Sequence, residues 1–337
     1  PARLFDFHKN IYFHEVNSSD YPLFEYAPYE TALASRMVDI ATHETLDVLH
    51  VHYAIPHASA AFMAKSILKQ KNINIPVVTT LHGTDITLVG LDRAYLPVVE
   101  FSINQSDVVT SVSQSLKKQT EDSFELTTDI DVIYNFIDEN KFKRVEDLDF
   151  KNSIAPNGEF ILSHTSNFRK LKRVDDVIRI FEEVYRKIPC KLLLIGDGPE
   201  RSSLEALCRT IGLCDEIIFL GKQDAVERLL SISDLFILPS THESFGLAAL
   251  EALATEVPVI SSNVGGIPEV NVHGETGFLS EVGNVKEMAG NAIKLLQDPT
   301  LMKQFKVNAI KKADTFSKAV IVPQYEAVYQ KAIDLCK

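Results

Sequence analysis

Two glutamates separated by seven residues, in Glu243-Ser-Phe-Gly-Leu-Ala-Ala-Leu-Glu251, bracket the start of an expected helix. The run Asp234-Leu-Phe-Ile-Leu before them has the unbroken apolar character of a buried strand, and Gly246 to Ala254 has helical composition. Glu243 then falls in the turn between the two. The N–H groups of Ser244, Phe245, Gly246 and Leu247 would lack intrahelical acceptors, and together with the positive end of the helix they would attract a phosphate. Glu251 lies two turns further on, about 80° around the axis from Glu243, so both are expected to face one cleft. An ionised carboxylate accepts two hydroxyl hydrogens at once, which suits a ribose diol or neighbouring sugar hydroxyls. The plain alternative is one glutamate capping a helix and another on its wet face.

Other segments carry chemistry of the same kind. The loop Ser163-His-Thr-Ser-Asn167-Phe-Arg169-Lys170-Leu-Lys172-Arg173 places four cations in five positions after an expected strand. In an acidic chain such a cluster suits a diphosphate, with Lys as a point charge and Arg as a fork, although a solvated basic face has the same composition. Gly196-Asp197-Gly198-Pro199-Glu200 joins a strand to a helix, where glycines let backbone approach a ligand or merely form a tight turn. Leu81-His82-Gly83-Thr84-Asp85 follows a strand directly and would place His82 at its end. His50-Val-His52, with His57 nearby, puts two rings on one face of a strand, but no carboxylate lies within the run to complete a metal site. Gly265-Gly266-Ile-Pro-Glu269 and His273-Gly-Glu-Thr-Gly277 read as turns shaping a wall, and Asn135-Phe-Ile-Asp138 as an Asx-turn or hinge.

The elements that must position these residues alternate. Strands are expected at 47–52, 76–81, 107–112 and 131–134, then, after an aperiodic charged linker from Asp138 to Gly158, at 159–163, 191–195, 216–220, 234–238 and 258–261. A further strand is expected at Asn10 to Val16, and helices at Val285 to Leu296, Pro299 to Asp314 and Ser317 to Leu335. This is the pattern of parallel sheets covered by helices, in two doubly wound α/β domains whose strand ends face a cleft. The boundaries are 1–150, 151–316 and a terminal helix, 317–337, returning to the first domain.

At 337 residues, 45% hydrophobic and 24% charged, the chain has the length of two globular domains. No apolar run reaches the roughly 20 residues of a membrane span. A net charge of −12 argues against a general nucleic-acid binder, so any phosphate must be held by local geometry. Cys190, Cys208, Cys214 and Cys336 show no metal or redox spacing, and with no leader evident a cytoplasmic protein is expected. A homo-oligomer stays open.

Taken in order, these segments resemble the retaining GT-B glycosyltransferases of family 4. His50-Val-His-Tyr-Ala-Ile-Pro-His57, Thr79-Thr-Leu-His-Gly-Thr-Asp-Ile86, Ser166-Asn-Phe-Arg-Lys-Leu-Lys-Arg173, Val264-Gly-Gly-Ile-Pro-Glu-Val270 and the Glu-x7-Glu element carry the likeness. The resemblance implies two Rossmann-like domains and transfer of N-acetylglucosamine from UDP-N-acetylglucosamine to the hydroxyl of L-malate, with retention and no required metal, at the first step of bacillithiol biosynthesis. By position it implies Lys172 at the diphosphate, Glu251 at the ribose, Glu243 at the sugar hydroxyls with the N–H groups of Ser244 to Leu247 around them, and His82 near the reacting carbon. Asn167, Arg169, Gly196, Asp197 and Gly198 complete the implied donor side; Tyr53, Thr80 and Asn135 are the acceptor candidates. Asn167 stands where many members have Arg, which shifts the diphosphate onto Lys172 with Arg169 or Arg173. The family's opening strand, Gly-rich loop and helix have no counterpart, so a truncated first domain is expected. Rival readings are a family member with another acceptor, a UDP-sugar epimerase, and a non-catalytic nucleotide-sugar-binding fragment.

Overall fold

The structure is a computed structural model that describes residues 11–17, 28–87 and 89–337. The chain divides into two compact units: Pro1–Val109, Glu125–Asp129 and Val328–Lys337 form the first, Thr110–Phe124 and Ile130–Ala327 the second. A four-stranded sheet has the order β1 (Leu49–His52), β2 (Val77–Leu81), β3 (Val108–Ser111), β4 (Ile130–Val132). The helices of this part of the chain are α1 (Tyr29–His43), α2 (Ser59–Gln70), the single turn α3 (Thr84–Thr87), α4 (Leu96–Asn104) and α5 (Gln114–Ser123).

The larger sheet is built from β5 (Phe160–Ser166), β6 (Cys190–Gly196), β7 (Ile217–Gly221), β8 (Leu235–Leu238), β9 (Val259–Ser262) and β10 (Gly277–Ser280), in the order β10-β9-β8-β5-β6-β7. Every neighbouring pair in it is parallel. Strand order therefore reverses between β5 and β8, and the loops leaving their carboxyl ends form the crevice where open α/β sheets bind ligands. Around it lie α6 (Leu148–Ile154), α7 (Val174–Tyr185), α8 (Arg201–Ile211), α9 (Val226–Ser231), α10 (Leu247–Ala254), α11 (Ile267–Val270), α12 (Val285–Gln297), α13 (Pro299–Asp314) and α14 (Lys318–Leu335).

Burial follows the sequence periods. Leu192, Leu194, Leu235 and Ile237 are fully buried from the strands, and Val174, Val177, Ile178, Phe181 and Val184 recur at helical spacing on the inner stripe of α7. One device is used in both sheets. Asp107 accepts from the Val77 N–H at 2.7 Å and from Lys65, and Asp234 accepts from the Ile161 N–H at 2.8 Å and from Lys151, so an aspartate just before one strand pins the start of its neighbour. Among the described residues no helix is long and apolar enough to cross a membrane.

Three expectations need correction. Residues 11–17 form no strand: Ile11, Tyr12 and Phe13 are exposed and have no ladder partner among the described residues, while Asn10 lies outside them. The charged stretch from Asp138 to Gly158 contains α6, started by Asp147, whose carboxylate accepts from the Phe150 N–H at 3.0 Å. The turn ending at Gly277 leads into β10, paired with β9 in the register Gly277↔Val259.

Candidate active site

At the switch point the loop leaving β8 meets the loop leaving β5. Lys172 Nζ donates to Glu243 Oε1 at 2.5 Å, and the Ser240 hydroxyl donates to the same oxygen at 3.0 Å. Both side chains of this ion pair are less than one-fifth exposed. Glu243 thus precedes the helix, held by a cation from the loop after the neighbouring strand, and the angle around α10 expected between Glu243 and Glu251 does not apply. Below it, the Glu243 carbonyl accepts from the Gly266 N–H at 3.0 Å. A Cβ on Gly265, whose φ is +54°, would come within 1.9 Å of that carbonyl. Gly265→Ala is therefore expected to destabilise the fold by about 2–4 kcal/mol and to weaken UDP binding by displacing Glu243. Denaturant titration and calorimetry check both effects.

The start of α10 is open. Gly246, at φ +95°, is its N-cap and offers no side-chain cap. Among the described residues the N–H groups of Ser244, Phe245, Gly246 and Leu247 donate to no backbone carbonyl. Phe245 is buried against Tyr134 and Phe316 and so presents backbone rather than ring, whereas Leu247 is exposed. Two further groups position this start: Ser113, not among the residues singled out from sequence, and Glu269, expected there in a turn shaping a wall. Ser113 caps α5 and donates to the Ser244 carbonyl at 2.6 Å; Glu269 accepts from the N–H groups of Gln114 and Ser115, both at 2.9 Å. A Ser at a helix start was a visible signal, but its second partner lies 131 positions away.

The glycines of Gly196-Asp197-Gly198 serve chain packing. A Cβ on Gly196 would lie 1.9 Å from the Ser166 carbonyl, and one on Gly198 2.0 Å from that of Asn167. Asp197 accepts from the Gly198 N–H at 2.8 Å, and Asn167 is exposed. Under this junction His164 is fully buried, its Nδ1–H donating to the Ile237 carbonyl and its Nε2 accepting from the Ser166 hydroxyl, both at 2.8 Å. The basic loop splits. Lys172 turns to Glu243, while Arg169, Lys170 and Arg173 line a separate cavity, with Arg173 in the left-handed region and paired with Asp176 at 2.5 Å.

Glu251 lies on α10, half-buried. Burial pushes its carboxyl up to about 7, against the pull of Lys141 and with a smaller push from Glu227.

In the first unit the β1–β2 register, His52↔Thr80, collects a histidine cluster. His52 Nδ1 and His82 Nε2 are 2.8 Å apart; His50 lies 2.8 Å from both the Tyr329 and the Thr80 hydroxyls. The Tyr53 ring lies over His82 at 5.0 Å. Thr80 is fully buried with its hydroxyl 2.8 Å from His50, and Asn135 lies half-buried after β4 in the second unit. Among the described residues no group of three His, Cys, Asp or Glu is arranged to hold a metal. Asp85 is buried, its carboxylate accepting from the Ala54 and Gly83 N–H groups at 2.8 and 2.9 Å, which shapes the turn beside His82.

Burial, with repulsion from neighbouring imidazoles, lowers His50 and His82 to about 4; burial, with Lys172 nearby, does the same to His164. All three are neutral in the folded chain above pH 5. The folded chain then binds fewer protons than the unfolded chain between pH 6.5 and 4, so stability present above 6.5 is lost as the pH falls through that window, by about 3 kcal/mol for His164 alone. Denaturation at pH 7 and pH 5 checks this; equal stabilities would refute it.

A parallel sheet in the order β10-β9-β8-β5-β6-β7, with an open helix start and a Lys–Glu pair at its switch point, in a chain that also carries a four-stranded sheet with its own helices, defines a glycosyltransferase of GT-B architecture. The family model "Glycosyl transferases group 1" matches residues 145–312, and "Glycosyltransferase Family 4" matches residues 1–141. N-acetyl-alpha-D-glucosaminyl L-malate synthase of Bacillus anthracis is 46% identical over 98% of this chain and 86% of its own length. The chain belongs to the family 4 glycosyltransferases. Two solved structures share the fold: Anabaena HepE in complex with UDP-glucose (TM-score 0.79, 21% identity, 90% of this chain and 82% of that one) and sucrose-phosphate synthase from Thermosynechococcus elongatus (TM-score 0.75, 21% identity, 93% and 82%).

Proposed function

We propose that this protein transfers N-acetylglucosamine from UDP-N-acetylglucosamine to the hydroxyl of L-malate with retention at the anomeric carbon. The observation that carries the reading is the Lys172–Glu243 pair beside the open start of α10, in a chain 46% identical to an L-malate synthase of this kind. Breaking the bond from the anomeric carbon to the diphosphate builds negative charge on the departing oxygen. Lys172 and the N–H groups of Ser244 to Leu247 are fixed donors for that charge and need no reorganisation as it develops. Glu243 accepts hydrogens from the sugar hydroxyls through the carboxylate oxygen that Lys172 does not occupy, and Glu251 takes the ribose diol. Neutral His82, with its Nε2 against His52, leaves Nδ1 for a substrate hydroxyl.

Retention follows from attack on the face the diphosphate leaves. The malate oxygen bonds to the anomeric carbon as the bond to UDP breaks, and the hydroxyl proton passes to the departing phosphate oxygen. The Asp85 carboxylate supports this route over a covalent intermediate, because backbone N–H groups already hold it. Lys172 and the helix start supply the positive charge a metal would otherwise bring, so activity should persist in a chelator. A cavity of about 540 Å³ beside Tyr53 is walled by Ile55, Pro56, Tyr95 and Val98 together with Glu30 and Asp85. Its carboxylates disfavour a dicarboxylate such as malate.

The test is incubation with UDP-N-acetylglucosamine and L-malate. Malate-dependent UDP release that survives chelation supports the reading; donor turnover independent of malate, or none, overturns it.

A further inference from the structure

The three basic residues of the β5 loop that turn away from Glu243 line a cavity of about 460 Å³ together with Arg179. We propose that this cavity is a second anion site, separate from the Lys172–Glu243 pair, which takes a phosphomonoester carrying an apolar group. Its lining also includes Val174 and Asp175 from the first turn of α7, and Glu200, Ser203, Leu204 and Leu207 at the start of α8 and along it.

Charge is the first argument. Arg173 is neutralised by Asp176, but the side chains of Arg169, Lys170 and Arg179 have no hydrogen bond or ion pair among the described residues. These are exposed cations gathered around one cavity in a chain of net charge −12, with Arg179 also acting through space on the Asp176 carboxylate. Against them stand the carboxylates of Asp175 and Glu200, which leaves one surplus positive charge.

The second argument is independent of the side chains. Both α7, 12 residues long, and α8, 11 residues long, begin at this cavity, and neither Arg173 nor Glu200 caps its helix through a side chain. Each start adds about half a positive charge, although the Asp176 N–H already donates to the Arg173 carbonyl and the Arg201 N–H to the Gly198 carbonyl. The total is close to plus two, which matches a phosphate ester carrying about −1.5 to −2 charges at neutral pH. Arg supplies the bidentate fork that phosphate oxygens accept.

Val174, Leu204 and Leu207 supply an apolar wall that inorganic phosphate would leave unused, and the volume exceeds what a single phosphate fills. The ligand class is therefore a phosphomonoester with an apolar or ring-bearing remainder. Because residues 169–173 connect this cavity to Lys172, an occupant here would act on the loop that also carries the cation of the donor site.

Isothermal titration calorimetry on the full chain saturated with UDP separates this cavity from the donor site. The probes are phenyl phosphate and inorganic phosphate. The expected result is one equivalent of phenyl phosphate bound at least tenfold more tightly than phosphate, with a further loss of at least tenfold in Arg179→Gln and in the double variant Lys170→Gln/Arg179→Gln. Arg179 and Lys170 are exposed, so both variants should fold. No phenyl phosphate binding by UDP-saturated protein, equal affinity for the two probes, or unchanged affinity in both variants would each overturn the proposal. A first titration with UDP alone reports whether the donor site itself binds.

Discussion

Replacing Lys172 by Met is expected to lower kcat for malate-dependent UDP release by about 10²- to 10³-fold, because it removes one preorganised positive charge from the departing diphosphate. The same change leaves the carboxylate of Glu243 half-buried with the Ser240 hydroxyl as its remaining donor, so the variant should also melt several degrees lower. Lys172→Arg separates the two effects. A guanidinium restores the charge and the partner for Glu243, so stability returns, while its planar fork does not reproduce a point charge placed against one oxygen, so kcat recovers only in part. A Lys172→Met enzyme within tenfold of wild-type kcat would remove Lys172 from the mechanism. A melting temperature unchanged in that variant would show that the pair contributes nothing to the fold.

The residues at this site were legible because their types are tied to local structure; their partnerships were not, because those depend on strand order. A cation five residues beyond Asn167 and a glutamate before a helix can each be read in sequence. That they form one ion pair follows only once β5 and β8 are neighbours across the reversal of the sheet. The same limit applies to His50 and His52. Their spacing shows a common face, but the pairing of β1 with β2 decides that His50 meets Thr80 and His52 meets His82. The four basic residues of the β5 loop read as one cluster in sequence, yet the left-handed backbone at Arg173 turns the chain, and only Lys172 reaches Glu243. For the fold, α12 and α13 are long and periodic enough to be read nearly to the residue. The edge strand β10 is four residues long and follows a turn, and seven-residue α6 depends on Asp147, which also pairs with Arg228 at 2.9 Å. Residues 11–17 have strand composition but, among the described residues, no neighbouring strand to pair with, and composition alone cannot supply one.

Glu251→Gln is expected to make the protein more stable and less able to bind UDP, with both effects set by pH. The wild-type carboxyl, raised to about 7, keeps its proton in the folded chain while the unfolded chain releases it near 4.5. Between those values the folded chain binds more protons, so wild-type stability falls as the pH rises through the window, and above 7 the full cost of about 3 kcal/mol remains. Gln carries no charge to bury. The variant should therefore exceed wild type by about that amount at pH 8 and lose the advantage below pH 4.5. Binding reverses the ranking, because the ionised carboxylate accepts both hydrogens of a ribose diol and a hydrogen bond to a charged group contributes about 1.5–3 kcal/mol. UDP should bind the variant at least tenfold more weakly at pH 8. In the wild type, UDP favours the ionised form and lowers the carboxyl below 7, so binding at pH 6.5 should release a fraction of a proton that the variant does not release. Calorimetry in two buffers of different ionisation enthalpy measures that proton. If wild-type binding releases none, or if Glu251→Gln is no more stable than wild type at pH 8, the assignment of Glu251 to the ribose through its ionised form fails.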